Sequence, residues 1–231
     1  TINNKPYIHL NNHSPTDEIF NNVWYECEKI SAQGVEILIM VGGAGGAYEY
    51  LFSNFDKYYP MLKKLISSKS FIKGIDIDIE DSVDPKNVEK LIQKLIEDFG
   101  EDFIITMAPV SESLTDDVKG LGGFSYKDLY KSSVGKYINW FNTQCYDSFT
   151  EETYSKIINN GYPPEKVVFG MLGGDYDNFN NYLIEIQKVY MKYEKCKGVF
   201  IWEYINSPPD KSDSSKWCKS IKNIDTDFIL I

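Results

Sequence analysis

The stretch "FIKGIDIDIED", residues 71–81, places Asp76, Asp78 and Glu80 at every second position among Ile75, Ile77 and Ile79. Successive side chains of a β-strand face opposite sides, so the three acids share one face and the isoleucines the other. Close carboxylates repel, and a buried one is costly unless it is hydrogen-bonded or kept neutral. Structural need alone rarely produces such a row, whereas acid catalysis uses one.

Outward from this stretch, short apolar runs alternate with amphipathic segments. The runs are residues 35–41, 71–79, 102–108, 137–146, 166–172 and 198–204. Most are continuous rather than alternating, as parallel strands covered on both faces require. Helices are predicted between them. Ser14-Pro15-Thr16-Asp17 reads as a capped start, for a helix running to about Ala32 and stopping at Gly34. Asp84-Pro85 starts another, with Val88, Leu91, Ile92, Leu95, Ile96 and Phe99 on one stripe and Gly100 at its end. Segments 48–66, 151–159, 178–195 and 212–221 complete the set.

Repeated strand-then-helix units predict an α/β fold with a parallel sheet. No GxGxxG follows the first strand, and the acids stand at a strand's C-terminal end. Both points favour a (β/α)8 TIM-type barrel, whose active sites lie at that end, over a doubly wound sheet. The turns "MVGGAGGAY" (40–48) and "MLGGDYDN" (171–178) are alike, each a strand end followed by Gly-Gly, and both are expected on the catalytic face. No linker or low-complexity stretch divides residues 1–231, so one barrel domain is expected. Six strands are evident where eight are needed; "KPYIHLN" (5–11) is a further candidate.

Composition narrows the function. The chain of 231 residues is 42% hydrophobic and 15% aromatic, enough for a sizeable core. Its 17 tyrosines offer flat apolar faces that carry a hydroxyl, as sugar sites need. A formal charge of −10 argues against a nucleic-acid or anionic-membrane partner. No run is long or apolar enough to span a bilayer. Two histidines, His9 and His13, make a histidine metal site or a Ser-His-Asp triad improbable. Cys27, Cys145, Cys196 and Cys218 form no ligand pattern, and Cys27 and Cys145 read as buried thiols. A secreted or extracytoplasmic location is favoured over a cytoplasmic one. Three alternating acids could hold Ca²⁺ or Mg²⁺, but the motif lies in a strand and not a loop, so neither metal nor cofactor is expected.

"GIDIDIE" (74–80) resembles the DGxDxDxE signature of glycoside hydrolase family 18. Four further segments match in order: "VGGAGGAY" (41–48), "FGEDFIITMAPV" (99–110), "INWFNTQCYD" (138–147) and "GVFIWEYINSPP" (198–209). Within that family the sequence is most similar to fungal and bacterial endo-β-N-acetylglucosaminidases, and next to small chitinases. The resemblance implies a retaining, substrate-assisted hydrolysis of β-1,4 links beside N-acetylglucosamine. It assigns Glu80 as acid and base, Asp78 as the partner of the acetamido N–H, Asp76 as the group sharing a proton with Asp78, and Tyr146 as donor to the acetamido oxygen. It places Trp202 under the sugar, with Asp147, Gln144, Asn142, Gly42, Gly43 and Met107 as further substrate-binding positions. The implied partner is an N-acetylglucosamine-containing glycan. The chitobiose core of N-glycans is the expected substrate; chitin oligomers and, without catalysis, a lectin role on the same fold are the alternatives.

Lys73 departs from the family's first Asp, Ile79 from its aromatic or valine, and Phe141 and Cys145 from its tyrosine and aromatic. "IHLNN" (8–12) matches the segment after the family's second strand. The first one or two strands are therefore expected to be missing from this chain, and a second segment or chain to complete the barrel.

Overall fold

In a computed structural model, residues 8–224 are described and form two compact units, one running up to Ile105 and one from Thr106 onward. The boundary falls inside the third strand.

In the first unit, helix α1 (Asn21–Ser31) leads to strand β1 (Ile37–Gly43), helices α2 (Ala47–Ser53) and α3 (Phe55–Ser67), strand β2 (Ile72–Ile79) and helix α4 (Pro85–Phe99). Strand β3 (Ile104–Met107) begins there. β1 and β2 pair in parallel. Ile75, Ile77 and Ile79 are buried, as the alternation required. Gly74 lies where a side chain cannot: an added Cβ would stand 2.2 Å from the Ile104 carbonyl oxygen of β3. Helix α4 follows the sequence closely. Asp84 accepts the Lys86 N–H at 2.9 Å, Pro85 fills the first turn, and the apolar stripe is buried from Val88 to Ile96.

Two helices differ from expectation. The first begins only at Asn21, after a 3₁₀ turn at Glu18–Phe20 capped by Asp17. Ser14 instead accepts the Thr16 N–H locally, a bond that competes with helix formation. The helix expected over 48–66 is two, broken at Asn54, whose side chain caps the second by accepting the Lys57 N–H. Residues 5–7 of the candidate strand "KPYIHLN" lie outside the described residues. Within the described part, Leu10 makes only an isolated antiparallel bridge to His13.

In the second unit, after β3, come α5 (Glu112–Thr115), α6 (Tyr126–Lys131), strand β4 (Ile138–Gln144), α7 (Glu151–Asn159), strand β5 (Val167–Leu172), α8 (Phe179–Lys192), strand β6 (Gly198–Trp202) and α9 (Ser215–Lys222). β4, β5 and β6 are parallel neighbours. Among the described residues the strand order is the chain order, β1 to β6. No described helix is long and apolar enough to cross a membrane. Phe141, Phe169, Tyr154 and Tyr162 fill the core, and Phe141 and Cys145, two of the departures noted above, are fully buried packing residues.

Candidate active site

Every predicted site residue lies in a strand or directly after its C-terminal end, although the six strands supply them unequally. β2 contributes the acids. Asp76 and Glu80 are half-buried and Asp78 is buried. Asp78 is opposite Gly42 in the β1–β2 register, and Asp76 is opposite Met40.

Gly42 and Gly43 hold Asp78 in two ways. Gly42 has φ +123° and approaches so closely that an added Cβ would stand 1.8 Å from the Asp78 carbonyl oxygen. Gly43 has φ +76°, and its added Cβ would stand 3.8 Å from Asp78 Oδ2. The Asp78 carboxylate therefore has clear space beside Gly43. These backbone conformations are open to glycine and strained for other residues. Tyr48 closes the turn from below: it is fully buried and its hydroxyl donates to the Val41 carbonyl at 2.7 Å. Sequence reasoning missed Tyr48 as a support, though it ends the quoted glycine motif. It also missed Asp81, whose Oδ2 is buried without a hydrogen-bond partner among the described residues.

The second unit supplies the aromatic and amide positions. Trp202, the last residue of β6, is 54% exposed, and its ring lies 6.2 Å from that of Tyr146 at 26°. A large indole left open to solvent at a strand end is available to a ligand. Tyr146 is half-buried and also meets Phe200 edge-on at 6.4 Å. Asp147 beside it is exposed. The peptide bond after Trp202 is cis. Glu203 turns to solvent and accepts from Asn206 at 2.8 Å.

The remaining positions are more structural. Asn142 accepts the Trp140 indole N–H at 3.0 Å, and Gln144 Nε2 donates to the Ala108 carbonyl at 2.8 Å. Met107, expected at the substrate, is fully buried in the core and presents no surface. Of the two similar Gly-Gly stretches, Gly42 and Gly43 are the last residues of β1, whereas Gly173 and Gly174 follow β5 in a loop. In the second, Gly173 N–H donates to the Trp202 carbonyl at 2.6 Å and Gly174 N–H to the Asn206 carbonyl at 2.8 Å. The loop after β5 is thereby tied to the residues around Trp202. Cys145 is buried as expected, while Cys27 is half-buried.

No family model matches the chain, and no curated protein sequence does. Solved structures do match. A fungal endo-β-N-acetylglucosaminidase from glycosyl hydrolase family 18 is 32% identical, with TM-score 0.85, over 94% of this chain and 81% of its own. A chitinase from Aspergillus fumigatus is 30% identical, with TM-score 0.82, over 95% of this chain and 84% of its own. The catalytic domain of a family 18 chitinase from the fern Peteris ryukyuensis is 17% identical, with TM-score 0.64, over 87% and 78% of the two chains. This last likeness shows the fold alone. The fold class is thus the α/β TIM-type barrel expected from the strand-then-helix repeat, with six strands among the described residues.

Proposed function

This chain belongs to glycoside hydrolase family 18 and is a glycoside hydrolase, and from that premise we propose that it cleaves β-1,4 links beside N-acetylglucosamine in the chitobiose core of N-glycans. The observation that supports this most is the acid row of β2, with Asp78 buried and its backbone fixed against Gly42. Likeness to an endo-β-N-acetylglucosaminidase favours the N-glycan core over other substrates.

In the proposed mechanism the substrate supplies its own nucleophile. The oxygen of its 2-acetamido group attacks the anomeric carbon. The bond from that carbon to the leaving sugar breaks, its electron pair stays on the leaving oxygen, and Glu80 gives that oxygen a proton. An oxazolinium ion results. Asp78 accepts from the acetamido N–H and offsets the positive charge, while Asp76 shares a proton with Asp78, so the two titrate as a pair. Tyr146 donates to the acetamido oxygen and aims it. Water then attacks the anomeric carbon, Glu80 takes the water's proton, and the bond to the acetamido oxygen breaks. Two inversions give net retention. Trp202 is the apolar floor for the sugar, and Gly43 leaves room beside Asp78 that a side chain would occupy.

A second reading, chitin oligomers as substrate, is favoured by the likeness to the Aspergillus chitinase. The test is to incubate the protein and its Glu80→Gln variant with a high-mannose glycoprotein and with chitin oligomers, and to weigh the products. The expected result is a glycoprotein retaining one N-acetylglucosamine, formed by the unaltered protein at a rate at least about 1,000-fold above the variant. Cleavage of chitin oligomers alone would transfer the conclusion to chitin. Equal product from both proteins would remove Glu80 from the mechanism.

A further inference from the structure

The last strand of the second unit runs out into an apolar stretch that is open to solvent. Trp202, Tyr204 and Ile205 are 54%, 52% and 71% exposed, three of four successive positions. The mechanism above uses only the first of them. Single apolar side chains on a surface are ordinary, but a group of them marks an interaction site. This group does not sit on a loose loop that could fold its side chains away. Tyr204–Asn206 form a 3₁₀ turn. The Tyr204 carbonyl accepts from the Ser207 N–H at 3.1 Å and from the Ser207 hydroxyl at 2.6 Å, and Ser207 is fully buried. The Ile205 carbonyl accepts from the Ser214 hydroxyl at 3.4 Å, and the Asn206 carbonyl from the Gly174 N–H at 2.8 Å. The loop after β5 packs closely here, since a Cβ added to Gly173 would stand 3.0 Å from the Glu203 carbonyl oxygen.

The backbone of the turn is thus held while its side chains face water. A fixed surface needs little ordering when a ligand docks. Side-chain chemistry narrows the ligand. The apolar face of a sugar is matched by a flat ring, which Trp202 supplies. Isoleucine has a branched apolar surface and no hydrogen-bonding group, so it gains by burial against another apolar chain. A formal charge of −10 disfavours an anionic membrane surface. An apolar stretch of polypeptide fits what remains, and distance agrees. Successive Cα atoms are about 3.8 Å apart, so those of Trp202 and Ile205 are at most about 11 Å apart. In the proposed reaction a single N-acetylglucosamine stands between the cleaved bond and the asparagine. The polypeptide therefore begins one sugar beyond the sugar on Trp202, within reach of Ile205.

We propose that Tyr204 and Ile205 are a docking surface for the polypeptide that carries the glycan, taking apolar side chains within a few residues of the glycosylated asparagine. The proposal rests on the N-glycan reading above. It makes the enzyme selective for its leaving group as well as for its glycan.

The test compares three substrates that carry one high-mannose glycan. They are a glycopeptide with leucine and valine flanking the asparagine, the same glycopeptide with serine and glycine there, and the free oligosaccharide with its chitobiose intact. The apolar glycopeptide should be cleaved with a kcat/KM about ten-fold above the other two. Ile205→Ser should remove that advantage and leave the free oligosaccharide unchanged, and Ile205→Leu should keep the advantage. Ile205 is exposed, so both variants should fold, and melting curves verify it. Equal kcat/KM on the two glycopeptides, an advantage that survives Ile205→Ser, or an equal loss on the free oligosaccharide would overturn the docking surface and leave the proposed function standing. Cleavage of chitin oligomers with none of the three glycans cut would instead overturn the function, and the docking surface with it.

Discussion

Replacing Gly42 with alanine asks whether the backbone of β1 holds Asp78 in place. The new Cβ would stand 1.8 Å from the Asp78 carbonyl oxygen and 2.7 Å from Tyr48 Cε2. Even close carbon–oxygen contacts are about 3.3–3.6 Å, so the two strands must part by roughly 1.5 Å at this pair. Tyr48 cannot give way cheaply, since it is fully buried and its hydroxyl is bonded to Val41. The positive φ costs alanine about 1–2 kcal/mol, and overpacking about 1–3 kcal/mol more, for a total of roughly 2–5 kcal/mol. At about 2–4 °C per kcal/mol, Tm should fall by about 4–20 °C. Asp78 moves with its carbonyl, and a 1 Å displacement of a reacting group can cost about 100-fold in turnover. Gly43→Ala is the control. It has a positive φ too, but its Cβ would meet only Asp78 Oδ2, at an ordinary 3.8 Å. It should lose about 1–2 kcal/mol with no parting of strands. The assays are thermal denaturation and glycan turnover on both variants. Equal Tm and equal turnover in the two would refute the claim that the Gly42 contact positions Asp78.

Three further outcomes are expected. Trp202→Ala should leave stability within about 0.5 kcal/mol of the unaltered protein, because the indole is exposed, while KM for the glycan rises about ten-fold; a large fall in Tm would make Trp202 a core residue instead. Burial pushes the Cys145 thiol up to about 12, and Cys218 is exposed. Iodoacetamide at about pH 8 should therefore label Cys218 in the folded protein and Cys145 only after denaturant, as peptide masses would show. Burial alone would raise the pKa of Asp98, but hydrogen bonds from Lys63, Tyr59 and Lys94 outweigh it and hold the carboxyl below its usual range. Asp98→Asn should cost about 1.5–3 kcal/mol at neutral pH. A depressed pKa stabilises the fold above the unfolded value, about 3.9, and that share is lost as pH falls through the lower folded value. The difference between the two proteins in urea should therefore shrink toward pH 3, and an undiminished difference would count against the ion pairs.

Much of the architecture was legible because it rests on local periodicity. Six apolar runs, most of them continuous, became six strands, and the Asp84-Pro85 start and Gly100 stop bounded α4 as read. The acid row was legible because alternation is a property of one strand. The break at Asn54 was not, because apolar spacing continues across it while a single side-chain cap decides the chain's path. The late start of α1 has the same cause: Ser14 and Asp17 each offer a capping oxygen, and only the second leads into the helix.

What holds the site was harder to read than the site itself, for a physical reason. An acid in a strand announces its chemistry by type and spacing. Its support does not. Gly42 reads as a loop glycine until the β1–β2 register puts it against the Asp78 carbonyl, a contact across 36 residues of chain. Tyr48 reads as one aromatic among 17 tyrosines until it is seen to close that turn. Substitutions at these supports should therefore change rate or selectivity while every residue of the acid motif stays in place, and motif matching alone would not foresee them.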